Sequence, residues 1–513
     1  LSRPIGSNPS RAAVQAPIQR STPSDAERYR LAWAEFPADL TSPVRLLLIL
    51  RAAGRHACLL ESAEGPERLA RYSFIGIDPV ARLRGGTSES LVSTNAGTEV
   101  IAGPSHEVLR ELARRHACPA PPPGLPPFTG GWIGWFSYEW AATLEPRVPI
   151  AADDPWGVPE ATFDLYHDLV AFDHAGQKLY VLCAAPTGAP GYAAAMERVD
   201  AISSDFGGLV ESGAFRLVGD GPLARTSKAK FLESVERLRD AIREGEIFQA
   251  VLSQRFEQRF QGDPFTLYRV LRLTNPSPHM FFFEADGLTL VGSSPERLVS
   301  VVGGRVQVVP IAGTRPRGAD ADQDDRLGAE LKGDIKERAE HDMLVDLARN
   351  DLGRIARLGT VALKEHATLE KFARVQHLVS RVECELASPF DAVDALAACF
   401  PAGTVSGAPK IRAMELLAEI EGETRGPYAG AFGYLDGAGN LDMCIAIRTL
   451  AVRDDVIHLQ AGAGIVFDSV AENEYKETLH KSQALFEAVR LAASDAFQPA
   501  SDQLAATLTD VRP

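Results

Sequence analysis

No pair of cysteines in this sequence stands in a CxxC spacing. The six that occur, at positions 58, 118, 183, 384, 399 and 444, are scattered along 513 residues. That pattern argues against a zinc ribbon or a disulfide framework and suits free thiols in a reducing cytoplasm. No apolar run reaches membrane-spanning length. Basic charge is short as well: 53 Lys and Arg against 68 Asp and Glu leave a net charge of −15. Nucleic acid and anionic membrane are thereby poor candidates for the main partner. No glycine-rich loop leads directly into a lysine and a hydroxyl, which argues against a nucleotide loop. There is no repeat at a solenoid period. The first 25 residues, rich in Pro, Ser and Arg, lack the apolar block of a secretory signal and read as a disordered leader. Residues 494–513 read as a flexible tail.

What is present organises itself around one glycine-rich break. Residues 207–226 read as a linker between an N-terminal region, 26–206, and a C-terminal region, 227–493. A helix is predicted from Ser227 to about Glu244, with Phe231, Val235, Leu238 and Ile242 on one stripe. "IFQAVLSQRF" reads as a strand with Phe248, Ala250 and Leu252 on one face. "HMFFFEADGLTLVG" predicts a hairpin at Asp286-Gly287, and "LVSVVGGRVQVVP" another at Gly303-Gly304. "GAFGYLDGAGNLDMCIAIRTLAVRDDVIHLQAG" reads as a three-stranded meander. Helices are predicted over Asp324–Leu352 and Pro409–Glu421. Strand-like pieces upstream ("HACLLES", "RYSFIGI", "GGWIGWFSYEW") predict a companion sheet packed on the C-terminal part. Tight hairpins make neighbouring strands antiparallel. The expected fold is therefore α+β, with mainly antiparallel sheets forming a large sandwich-like core and helices around it.

Several stretches carry chemistry. "AGAGIVFDSVAENEYKETLHK" is a glycine-alternating loop running into a helix that Ser469 and Glu472, at capping-box spacing, would start. Glu474, Glu477 and Lys481 then fall near one face. One reading is a solvated helix whose acids complement the dipole. The other is a site for a metal-bound anion, with backbone N–H groups at Gly462 and Gly464, a glutamate on a hard cation and Lys481 adding charge. In "KERAEHDMLVDLARND", Glu337 and Glu340 stand at i, i+3 with His341 beside them, again a solvated face or a second set of ligands. "FPAGTVSGAPKIRAMELL" leads Thr404 and Ser406 to a helix start with Pro409 near its first turn. "PIAGTRPRG" ends a strand with hydroxyl and guanidinium groups. "SPER" places Glu296 just after a strand, where burial can tune a carboxyl into an acid. His377 is either a base or a packed core histidine.

In order, "IFQAVLSQRF", "SPER", "PIAGTRPRG", "ERAEHDMLVDLARNDLGR", "FPAGTVSGAPKIRAME", "GPYAGAFGY", "CIAIRT" and the opening of the last helix resemble the chorismate-utilising enzymes, most of all the synthase subunit of anthranilate synthases. The resemblance covers Ser227 to Leu491, and "LLES" with "YSFIG" extends it upstream. It implies Mg²⁺ between Glu340 and Glu477, with Glu337 and Glu474 as outer acids, gripping the ring carboxylate of chorismate. It places the enolpyruvyl carboxylate against Arg448, Tyr428 and the backbone of Gly462, Ala463 and Gly464. Gly313, Thr314 and Thr404 would line the site, and Lys481 would pair with a carboxylate. The reaction implied is chorismate plus ammonia to anthranilate and pyruvate, with Glu296 as general acid and His377 assisting the later proton removal.

Two positions separate sister activities by the same resemblance. Water-adding relatives carry lysine where this chain has Gln249, and aminodeoxychorismate relatives carry lysine where it has Ala312. A non-catalytic chorismate or amino-acid sensor is the alternative of a different class, and the intact set Glu296, Glu340, His377, Arg448 and Glu477 argues against it. No glutaminase portion is recognisable, so a separate glutaminase subunit would supply ammonia in a hetero-oligomer. "LLES" and "NPSPHMFF" match the family's feedback signature. They imply a tryptophan site made by Leu60, Ser62, Pro278, His279 and Met280.

Overall fold

The computed structural model describes residues 19–20, 29–63, 71–116, 121–208, 210, 212–372 and 375–499. Apart from 19–20, the expected leader lies outside the described residues, as does the tail beyond 499. Among the described residues two large sheets, of 13 and 12 strands, carry the molecule, and every pairing between named strands is antiparallel. Their facing sides meet in an aromatic layer in which Phe281 of one sheet stacks on Phe432 of the other, ring centroids 3.8 Å apart. Helices cover the outer faces, Pro43–Ala52, Phe265–Thr274 and Ala471–Ala492 on the first sheet, Ser105–Arg115 and Ala392–Cys399 on the second. The sandwich with surrounding helices is thus as expected.

The companion sheet is not. Strands from both sides of residues 207–226 enter both sheets: Ala57–Glu61 pairs with His279–Ala285 in the first, and Gly131–Phe136 with Ala431–Asp436 in the second. Each region alone would leave unpaired strand edges where the other now joins, so the two fold as one pair of sheets. The expected linker itself contains the edge strand Phe215–Ala224. The register of that strand shifts between Val218 and Leu223, where Gly219 and Gly221 take φ of +88° and +118°. Its start is pinned by Gln498, whose amide bonds both the N–H and the carbonyl of Phe215 at 3.1 and 2.7 Å, so the expected tail is packed at least that far.

Both hairpins form at the expected turns. Asp286 and Gly287 have φ of +53° and +75°, and Gly303 and Gly304 of +57° and +78°, the left-handed pair that a two-residue turn needs. The predicted meander is instead two hairpins. Ala431–Asp436 and Leu441–Ile445 lie in the second sheet, while Thr449–Arg453 and Val456–Ile465 lie in the first. The chain changes sheets at residues 446–448. It changes in the opposite sense between Leu288–Ser294 and Arg297–Val302. These two crossovers run side by side: Ile445 N–H donates to the Glu296 carbonyl at 3.0 Å, and Ser293 N–H to the Arg448 carbonyl at 3.1 Å. Glu296 and Arg448 are therefore brought together at the end of the sandwich by the same topological event.

Smaller differences have local causes. Phe248 lies just ahead of the strand Gln249–Gly262 and is exposed, whereas Ala250 and Leu252 are buried against the helices Lys228–Arg243 and Lys410–Glu421. The long predicted helix breaks into Ala321–Gly333 and Ile335–Gly353 because Asp334 turns extended and caps the second piece, accepting from Lys336 and Glu337 N–H. Of the cysteines, Cys58, Cys183, Cys384, Cys399 and Cys444 are buried and unbridged, and Cys118 lies outside the described residues.

Candidate active site

Glu296 sits at the first crossover, and one of its oxygens accepts the Thr404 hydroxyl at 3.0 Å. Burial pushes its carboxyl up to about 7, against the pull of that hydrogen bond and of the Arg448 and Lys481 charges. Thr404 is delivered by the short turn Gly403–Val405. Ser406 is not available beside it, since it is buried and its hydroxyl donates back to the Ala402 carbonyl at 2.8 Å. Arg448 holds a φ of +48° at the second crossover, with its side chain exposed.

The glycine-alternating stretch is a strand rather than a loop, the end of Val456–Ile465 paired with Gln249–Gly262. Gly462 and Gly464 lie on one face. A Cβ added at Gly462 would stand 3.0 Å from the Tyr428 hydroxyl, and one at Gly464 2.9 Å from the Gln249 amide nitrogen. Their alternation thus opens a floor that Tyr428 and Gln249 overlook. Ala463, on the other face, is fully buried. The following helix, Ala471–Ala492, starts without the predicted capping box. Ser469 instead accepts Val466 N–H at 3.0 Å and closes the turn ahead of it.

On that helix Lys481 makes an ion pair with Glu477 at 2.7 Å and donates to the Gly462 carbonyl at 3.0 Å. It ties the acids to the glycine floor. Across from it, on Ile335–Gly353, burial and the charges of Glu337 and Glu477 raise the Glu340 pKa. Burial, and less strongly Glu477, raises that of Glu474, which Ser469 hydrogen-bonds. Glu337 is partly satisfied by Arg315 at 2.9 Å, a guanidinium shared with Asp334 and Glu330. Among the described residues no three His, Cys, Asp or Glu side chains converge into a chelate. Glu340 and Glu474 nonetheless keep raised pKa values although Lys336 and Lys481 pull both down. A few such oxygens suit a hard cation that keeps water and ligand oxygens in its shell.

Thr314 and His377 face each other across the pairing of Ile311–Pro316 with Val375–Glu385. His377 Nδ1 lies 3.0 Å from the Gly313 carbonyl and 3.1 Å from the Thr314 hydroxyl. A carbonyl only accepts, so Nδ1 carries the proton and Nε2 is the basic nitrogen. Gly313, at φ +69°, leaves no room for a Cβ, which would meet Leu331 at 2.9 Å and Glu337 at 3.2 Å. His341, by contrast, is a core histidine, bonded to Ser380 at 2.6 Å.

The second constellation is separate. Leu60 and Glu61 are register partners of Phe281 and Met280, and Ala63 N–H donates to the Ser277 carbonyl at 3.1 Å, so "LLES" and "NPSPHMFF" do meet. Met280 packs into the core beneath the first sheet, and Leu60 lies against the aromatic layer on its other side. Burial lowers the His279 pKa to about 4, leaving a neutral ring beside Pro278.

A family model described as chorismate binding enzyme matches residues 55–487, across both regions. The chain belongs to the chorismate-binding enzymes. Anthranilate synthase component 1 of Streptomyces coelicolor is 43% identical to it, over 90% of this chain and 89% of that protein. The component 1 of Bacillus caldotenax is 42% identical, over 89% and 93%. The crystal structure of anthranilate synthase component I from Streptococcus pneumoniae superposes with a TM-score of 0.72 at 37% identity, covering 81% of this chain and 92% of that one. The menaquinone-specific isochorismate synthase of Escherichia coli, at 20% identity and a TM-score of 0.68, shares the fold.

Sequence reasoning about this chorismate-binding enzyme missed groups that reach the site from a distance. Lys336 faces both Glu340 and Glu474. Lys410 pairs with Asp351 at 3.1 Å, and Asp351 lines a cavity of about 50 Å³ bordered by Glu296 and Thr404. Glu139, from the N-terminal region, accepts the N–H groups of Arg425 and Gly426 at 2.7 and 3.0 Å. None has a local signal, because each acts through a tertiary contact. Among the described residues no helix is long and apolar enough to cross a membrane.

Proposed function

We propose that this chorismate-binding enzyme converts chorismate and ammonia to anthranilate, pyruvate and water. Support comes from relatives named anthranilate synthase component 1, alike over almost the whole of both chains. The observation that carries the chemistry is Glu296, a buried carboxyl with a pKa near neutrality, hydrogen-bonded at one oxygen by Thr404. Such a group still holds a proton at pH 7 and can give it up. Ammonia attacks ring C2, the ring double bonds shift, and the C4–O bond breaks as Glu296 protonates the departing hydroxyl. The proton shed by the new amine balances the one donated. Removal of the C2 proton then expels the enolpyruvyl arm, which leaves as pyruvate once its methylene carbon is protonated. His377 Nε2 assists that second stage.

The rest of the site orients a dianion. Arg448, the Tyr428 hydroxyl and the backbone at Gly462–Gly464 take the arm carboxylate, and Gly313 and Thr314 border the ring. Mg²⁺ held by Glu340 and Glu477, with Glu337 and Glu474 outside them, supplies charge neutralisation for the ring carboxylate. Gln249 overlooks the floor with an amide, too weak a base to activate water, and Ala312 offers no amine near C2. Both favour anthranilate over isochorismate or an aminodeoxychorismate. A separate glutaminase subunit delivers ammonia, and tryptophan binds at Leu60, Ser62, Pro278, His279 and Met280 to restrain turnover. The setting is the cytoplasm.

The test is product identification from chorismate, an ammonium salt and Mg²⁺. Anthranilate is expected. Isochorismate or an aminated, non-aromatic ring as the sole product overturns the reading.

A further inference from the structure

Arg425 is buried, its side chain 2% exposed, in the segment between the helix Lys410–Glu421 and the strand Ala431–Asp436. Its Nη1 donates to the Val405 carbonyl at 2.8 Å, one residue beyond Thr404. Its Nη2 donates to the Val251 carbonyl at 2.7 Å, and Val251 is the register partner of Gly464. Nε and Nη2 also take the two oxygens of Glu421, each at 2.7 Å. The guanidinium lies over the Tyr138 ring at 4.5 Å and 5.8 Å from the ring of Tyr428, three residues further on. The same loop is clamped from the N-terminal region by Glu139. Gly426, at φ +59°, has Trp156 2.7 Å from where a Cβ would stand.

We propose that Arg425 is a positioning residue for this active site: one buried guanidinium that sets Thr404, the Gly462–Gly464 floor and Tyr428 in mutual register. The inference rests on the site reading given above. A buried ion pair contributes little net stability compared with apolar packing, so the Arg425–Glu421 pair needs another account. With two backbone carbonyls of different segments and both Glu421 oxygens, the guanidinium makes four hydrogen bonds, more than the three donors of an ammonium can supply. Without it the Val405 carbonyl loses its partner, and the Gly403–Val405 turn can shift relative to Glu296. A displacement of about 1 Å in a reacting group costs on the order of 100-fold in rate.

The experiment compares Arg425→Lys with Arg82→Lys in the full chain. Arg82, half-buried, makes a bidentate pair with the buried Asp164, at 2.6 and 2.7 Å, and touches no site segment. Anthranilate formation is followed from pH 6 to 9 with neutral ammonia held constant, alongside thermal unfolding. Arg425→Lys should lower kcat/KM for chorismate by about 100-fold. It should also move the alkaline limb to higher pH, because the Thr404 hydrogen bond that favours ionised Glu296 is lost. Arg82→Lys should lower the Tm without moving the limb. If Arg425→Lys does not fold, Glu421→Gln leaves the guanidinium in place but loosens it, and a smaller shift in the same direction is expected. The proposal fails if the folded variant lowers Tm as Arg82→Lys does and leaves the limb and the chorismate KM unchanged. It also fails if Glu421→Gln behaves as wild type when Arg425→Lys cannot be made. Failure of the wild-type chain to make anthranilate overturns the underlying function instead.

Discussion

Two glutamate environments meet in this site, and they differ in what surrounds the carboxyl. At Glu296 the charged neighbours are cations, Arg448 and Lys481, and with Thr404 they pull the pKa down; burial still wins. At Glu340 the neighbours are of both signs: burial leads, Glu337 and Glu477 push the same way, and Lys336 and Lys481 pull against them. Glu296 stands half-buried at a sheet crossover, whereas Glu340 stands on a helix facing another acidic helix. One residue type thereby yields two functions. A carboxyl desolvated away from other acids keeps its proton up to near neutral pH and can donate it. Carboxylates crowded together in an open cleft instead call for a cation. The difference is set by topology, not by the residue.

The sharpest way to break this contrast is to remove each carboxyl separately. Glu296→Gln should lower kcat by about 10²–10⁴-fold, the usual contribution of a positioned acid, while chorismate still binds with Mg²⁺. Steady-state kinetics with a binding isotherm measures both. Glu340→Gln and Glu477→Gln should each lose about 10²–10³-fold, as expected when transition-state charge loses a partner, and should blunt the response to Mg²⁺. Either of those variants keeping full activity in EDTA would remove the cation from the picture.

The pH dependence sharpens the same comparison without deleting anything. At constant neutral ammonia, turnover should fall about tenfold per pH unit once pH exceeds the Glu296 pKa of about 7. Stability carries the matching sign. The folded pKa lies above the ordinary 4.5, so between pH 4.5 and about 7 the folded chain binds more protons than the unfolded one. Wild type should therefore lose stability relative to Glu296→Gln across that window, by up to about 3 kcal/mol, and the gap should level off above it. Parallel urea titrations at pH 4.5, 6, 7 and 8 measure it. A gap that is constant over the series would show that folding leaves the Glu296 pKa unshifted.

Much of this was legible in the sequence where the signal is local. The turns at Asp286-Gly287 and Gly303-Gly304 need left-handed residues and have them, and the helix beginning at Ser227 carries its own cap. The acids at Glu337, Glu340, Glu474 and Glu477 are visible from their spacing. What the sequence hid was any event joining distant segments. "CIAIRTLAV" alternates as one strand pattern would, and nothing in it reveals that Ile445 and Thr449 belong to different sheets. The glycines at 462 and 464 read as a loop because their purpose is the space beneath Tyr428 and beside Gln249, which exists only after folding. Arg425 and Glu139 carry no periodicity and no motif of their own.

The smallest expected effect concerns the proposed tryptophan site, and it tests whether one side of the comparison can be moved alone. Ser62→Arg should abolish inhibition by tryptophan while changing uninhibited turnover by no more than about twofold, the range of a surface substitution. The route from that site favours Arg448. Asn275 Nδ2 and the Ser277 hydroxyl both lie 3.0 Å from the Ser293 hydroxyl, and Ser293 N–H holds the Arg448 carbonyl at 3.1 Å. A ligand that shifts the Asn275–Ser277 turn reaches Arg448 through a single residue, Ser293. Tryptophan should therefore raise the chorismate KM and leave the Mg²⁺ requirement as it was. Inhibition that instead weakens Mg²⁺ activation would place the coupling on the acidic helices. Turnover that ignores saturating tryptophan would remove the regulatory site and leave the chemistry at Glu296 untouched.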